Sequence, residues 1–149
     1  GKPMEEVAQW VEDNKLRAQA WFTVDDLKYL KRGGRLSATS AALGTMLDLK
    51  PIIVISKDGK LTSADKVRGR KKALSYVVDK TAENIEDVEG QEVIILNADC
   101  PEDAQRLDEM LKAKVPGIRT RIENVGPVIG AHCGPGTVAI CFLGKERPI

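Results

Sequence analysis

The stretch from Pro51 to Lys60 constrains this chain's fold more tightly than any other. Pro51 to Ser56 is a branched, apolar run of strand character, and Lys57-Asp58-Gly59-Lys60 follows at once. Asp-Gly after such a run signals a tight hairpin, whose returning strand is expected from about Lys60 to Val67. Hairpins join antiparallel neighbours, so the sheet here is expected to be mixed or largely antiparallel.

The segments around the hairpin alternate in type. Met4, Val7, Ala8 and Val11 recur at helical spacing behind Pro3, Glu5 and Glu6, which predicts an opening helix with those residues facing the core. Ala18 to Phe22 reads as a strand. Thr23, with Asp26 at the capping-box offset, is expected to cap a second helix that buries Leu27 and Leu30 and stops at Gly33-Gly34. Ser37 then caps a third, small-residue-rich helix from Ala38 to Met46, with Leu43 and Leu47 on one face. Leu74, Val77, Val78, Thr81 and Ile85 mark an amphipathic helix, and Val93 to Leu96 a buried strand. Pro101 opens a helix carrying Ala104, Leu107 and Leu111. Ile118, Thr120 and Ile122 alternate with Arg119, Arg121 and Glu123, as in a strand with one face in water. Val125 to Gly136 is glycine-rich with room for one helical turn, and Val138 to Leu143 is a closing buried strand. The expectation is one α/β domain over residues 1–149, with about six strands in a mixed, largely antiparallel sheet flanked by at least five helices.

Composition narrows the function classes. A net charge of +1 and 4% aromatic residues argue against a nucleic-acid surface, which needs a basic field and stacking platforms. The three cysteines, Cys100, Cys133 and Cys141, have no CxxC spacing and there is a single histidine, so no metal cluster or other cofactor is expected. Unpaired thiols suit a reducing compartment, and no apolar run has the length of a membrane span, so a cytoplasmic protein without an integral membrane segment is expected. No P-loop, dinucleotide fingerprint or nucleophile elbow is present.

Three positions are candidate site residues. Arg35 follows Gly33-Gly34, where the backbone can approach a ligand closely and a guanidinium can grip a carboxylate. His132 lies beside the Gly134-Pro135-Gly136 turn, as either a packed core histidine or a hydrogen-bond donor to a ligand. Arg68 belongs to the basic turn Lys66-Val67-Arg68-Gly69-Arg70-Lys71-Lys72 at a helix start, where cations oppose the macrodipole: either a solvated basic turn, or a surface for an anionic partner that would reverse the loss. Three readings are compatible with these residues: a ligand-binding protein, an enzyme using His132 as acid–base with Arg35 as anion clamp, and a nucleic-acid module built on the basic turn. The enzyme lacks a second acid or a nucleophile, since Cys133 adjoins His132 in sequence and such neighbours point apart.

Read in order, Phe22 to Ser37 (FTVDDLKYLKRGGRLS), Leu49-Lys50-Pro51-Ile52, Asp58-Gly59 before Lys66-Val67-Arg68, and Ile129 to Gly136 (IGAHCGPG) resemble the signatures of the DegV family. The likeness runs from about Phe22 to Phe142 and matches the family's C-terminal domain. The resemblance implies a two-domain parent whose N-terminal domain has no counterpart here and which clasps a long-chain fatty acid between its domains. It further implies a non-enzymatic binding subunit that presents the acyl carboxylate to an ATP-dependent fatty-acid kinase subunit and carries away the acyl phosphate. On that resemblance Arg35 lies near the carboxylate or phosphate, His132 in the head-group hydrogen-bond network, and Arg68 where the kinase subunit docks.

Overall fold

The computed structural model describes residues 1–35 and 48–149. Six strands form one sheet: β1 (Ala18–Thr23), β2 (Leu49–Ile55), β3 (Leu61–Arg68), β4 (Glu92–Ala98), β5 (Arg119–Asn124) and β6 (Thr137–Leu143), in the order β3-β2-β1-β6-β4-β5. Four neighbouring pairs are antiparallel and only β4–β5 is parallel, so the mixed, largely antiparallel expectation holds. The Asp58-Gly59 turn joins β2 to β3, with Gly59 at φ 75° and the Ser56 amide donating to the Lys60 carbonyl at 2.8 Å. The parallel pair is joined through a helix because a tight turn cannot connect parallel neighbours.

Five helices are described: α1 (Met4–Asn14), α2 (Lys28–Arg32), α3 (Arg70–Asn84), α4 (Pro101–Lys114) and α5 (Pro127–Cys133). Strand alternation sends Trp21, Ile52, Val54, Val93, Ile95, Val138 and Ile140 to one face of the sheet. There they pack against Leu74 and Val77 of α3 and Leu107 and Leu111 of α4. Burying each such side chain contributes roughly 1.5–3 kcal/mol, so this layer carries most of the fold's stability. The opposite face carries a smaller cluster, Phe22, Val24, Ile53, Ala98 and Ala139, closed by Leu30 of α2 and Cys133 of α5.

Two local expectations are corrected. Helix α1 has no buried residue, and Met4, Val7, Trp10 and Val11 are 46–78% exposed, so its apolar stripe meets nothing in the described chain. Thr23 does not cap α2: it ends β1, hemmed between Ile52 and Val138, and its buried hydroxyl has no partner among the described residues. Pairing on both sides of β1 outcompetes the cap, and Asp26 serves instead by accepting the Lys28 amide at 2.8 Å. The Lys28 ammonium also pairs with Asp26 and holds its carboxyl below the usual carboxylate range. The expected Ser37 helix and its Leu43 and Leu47 face lie outside the described residues.

Candidate functional site

The sheet register gathers several segments at one end. The last residues of β1, β3, β4 and β5 and the first of β2 and β6 share that end, so α2, α5 and the α3 start converge there. Helix α2 closes with amides of Gly33, Gly34 and Arg35 donating to the carbonyls of Tyr29, Lys31 and Leu30, with Gly34 at φ 66°. The chain emerges with Arg35 exposed and its Nη1 donating to the Gly33 carbonyl at 2.6 Å.

His132 occupies the last turn of α5 and is half-buried. A Cβ placed on Gly33 would lie 2.2 Å from His132 Nδ1, so the ring rests directly on the Gly33 backbone. Arg35 and His132, separated by most of the sequence, therefore both contact one glycine. Gly33 has φ −76°, which any residue adopts, so close approach and not backbone freedom demands its lack of a side chain. Gly134 faces a double constraint: φ 79°, ψ 168°, and Tyr29 Cδ2 2.2 Å from where a Cβ would sit. The residue pattern identifies both glycine pairs as turns; their role in letting α5 and α2 touch is invisible to it. The arrangement offers a guanidinium and an imidazole to a small anion at the sheet end. Cys133, the adjacent thiol, is buried in the opposite-face core.

Arg68 ends β3, exposed, opposite Leu49 and in no ion pair among the described residues. Lys66, Lys71 and Lys72 are likewise exposed and without ion pairs among the described residues. Arg68 stands at the same sheet end as Arg35 and His132. Arg70, counted by the sequence reading with these solvated cations, behaves differently. Its Nε donates to Asp103 at 2.8 Å and its Nη2 to the Gly136 carbonyl at 2.6 Å, and its side chain is only 21% exposed. A groove of about 540 Å³ between α3 and α4 is lined by Arg70, Lys71, Leu74, Arg106, Glu109 and Met110. Four of those six are charged, a poor lining for an alkyl chain. No helix among the described residues is long and apolar enough to cross a membrane.

Comparison with known proteins places the chain in a family. A model described as uncharacterised protein, DegV family, matches residues 1–145. A DegV domain-containing protein of Clostridium perfringens is 42% identical over 147 residues, covering 99% of this chain and 50% of that protein. A fatty acid binding DegV family protein from Streptococcus agalactiae superposes with a TM-score of 0.83 at 28% identity, over 98% of this chain and 51% of its own. A DegV lipid binding protein from Thermotoga maritima gives 0.80 at 30% identity, over 99% and 51%. The chain thus spans about half the length of the relatives it matches. With the family model running over nearly its whole length and the same sheet in the solved relatives, this chain belongs to the DegV family.

Proposed function

We propose that this chain supplies one wall of a fatty-acid site, with Arg35 and His132 binding the carboxylate, and that the bound acid is presented to a separate ATP-dependent kinase subunit. The observation that carries the reading is the contact that Arg35 and His132 each make with Gly33. A guanidinium and an imidazole so placed suit a carboxylate or an acyl phosphate. The relatives from S. agalactiae and T. maritima, described as fatty acid binding and lipid binding, support the class of ligand. The chain acts as the C-terminal domain of a longer protein, whose other domain completes the clasp.

Energetics divide the labour. Burying about ten methylenes contributes roughly 8 kcal/mol, so the alkyl tail sets affinity and the head group sets orientation. A single wall leaves much of the tail wet, so tight retention needs both domains. The chain catalyses nothing itself: the imidazole orients the head group, and phosphoryl transfer belongs to the kinase subunit, which docks on the exposed cations around Arg68. Native mass spectrometry of the gently purified two-domain protein tests the ligand. A co-purifying long-chain fatty acid, lost more readily from His132→Ala, is expected; protein that is reproducibly empty and has no affinity for added palmitate would refute the reading.

A further inference from the structure

We propose that Arg70 is a positioning residue, which holds the Gly134–Gly136 loop and, through it, the seat of His132. This rests on the head-group reading of His132 given above. Helix α3 starts without a side-chain cap, behind Gly69 at φ 89°, and its first turn is Arg70-Lys71-Lys72. Lys71 and Lys72 stay in solvent, as an unfavourable charge at a helix N-terminus should. Arg70 instead folds inward and spans two elements distant in sequence. Its Nε meets Asp103 Oδ2 in the first turn of α4, and its Nη2 meets the Gly136 carbonyl, 66 residues away.

The loop it reaches needs an external tie. Gly134 and Gly136 both have positive φ, 79° and 78°, and glycines restrict the backbone least. The Gly136 amide donates to the Ala98 carbonyl at 2.8 Å, and Arg70 holds the Gly136 carbonyl, so the residue is clamped at both ends. Upstream, the Thr137 hydroxyl bridges the carbonyls of Cys133 and Gly134 at 3.0 and 2.9 Å, which carries that clamp to the end of α5. His132 sits one residue before Cys133, its ring on Gly33. The planar fork reaches Asp103 and Gly136 together, which a lysine's single ammonium cannot reproduce at the same geometry.

His132 is the only histidine in the sequence, so its imidazole gives one unambiguous resonance set. NMR spectra of the chain, its Arg70→Lys and Asp103→Asn variants and an Arg68→Ala control test the inference without any lipid. The His132 ring signals should move in both tether variants and stay in place in Arg68→Ala, while the Trp21 indole signal reports an intact core. A mere contribution to stability would lower the unfolding midpoint and leave the folded-state imidazole unmoved, and that result overturns the inference. Should Arg70→Lys fail to fold, Asp103→Asn, which removes the negative charge that orients the Arg70 fork, decides alone. In the two-domain protein, Arg70→Lys should also weaken palmitate binding about tenfold. A wild-type protein that ignores palmitate, combined with shifted His132 signals in the variants, would sink the fatty-acid reading and leave the positioning role standing.

Discussion

Gly33→Ala isolates the contact at the centre of the site. The backbone there, φ −76° and ψ −3°, accepts alanine, and alanine would narrow the unfolded ensemble. That effect alone stabilises by about 0.4–1 kcal/mol. Against it stands the imidazole, since the new Cβ would lie 2.2 Å from Nδ1 and 3.1 Å from Cε1, where ordinary contact begins at 3.4 Å. The ring must retreat by about 1.2 Å or the helices must part. Overpacking of this size costs about 1–3 kcal/mol, enough to cancel or reverse the entropic gain. A double-mutant cycle with His132→Ala separates the two effects, because the shortened side chain removes the clash. Urea unfolding followed by tryptophan fluorescence should give destabilisation or near-neutrality for Gly33→Ala in the wild-type background and stabilisation in His132→Ala. The coupling between the two should be about 1–3 kcal/mol. In the two-domain protein the same substitution should weaken palmitate binding, since a displaced ring no longer meets the head group. Equal stabilisation by Gly33→Ala in both backgrounds would mean that the ring does not rest on Gly33, and the site as described would be wrong.

Other outcomes follow from the same geometry. Gly134→Ala, forced into φ 79° and onto Tyr29, should cost more than Gly33→Ala, at least about 2 kcal/mol by urea denaturation. Arg68→Ala should leave palmitate affinity intact and slow kinase-coupled turnover, with a loss that shrinks at high salt as exposed charges are screened; Arg35→Ala should instead weaken palmitate retention or phosphorylation of the bound acid. Burial pushes the Cys141 thiol up to about 11, whereas the unfolded thiol ionises near ~8.5. The folded chain therefore holds the extra proton, so this contribution to stability is whole below the unfolded value and is lost as pH rises toward 11. Unfolding midpoints across that window should fall less steeply for Cys141→Ala than for the wild type.

Much of this was legible in the residues because local physics decides it. The Asp58-Gly59 turn, the Pro101 helix start and the periodicity of Leu74, Val77 and Val78 each depend on near neighbours, and each took the expected form. Thr23 misled because its competitors are remote: two flanking strands drew it into the sheet before it could cap α2. Arg70 looked like Lys71 and Lys72 because charge is all a sequence displays of them. Its partners lie 33 and 66 residues away. The same holds for Gly33, whose turn role is local while the imidazole above it arrives from α5. Helix α1 shows a further limit, since its apolar stripe announces that something should cover it without saying what.

The position of β1 bears on how the chain is made. Its two neighbours in the sheet are β2, about thirty residues downstream, and β6, whose register with β1 pairs Ala18 with Leu143. During synthesis the β1–β2–β3 ribbon can therefore form early, but with one edge of β1 unpaired and Trp21 and Phe22 lacking much of their final cover. Residue 143 must clear the ribosome before that edge closes. Growth at about 5–20 residues per second leaves such a ribbon waiting for several seconds. An open central edge of that kind is a template for pairing with another nascent chain. Both the vulnerable interval and the maturation of the Arg35–His132 site thus end with the same late event, the insertion of the last strand.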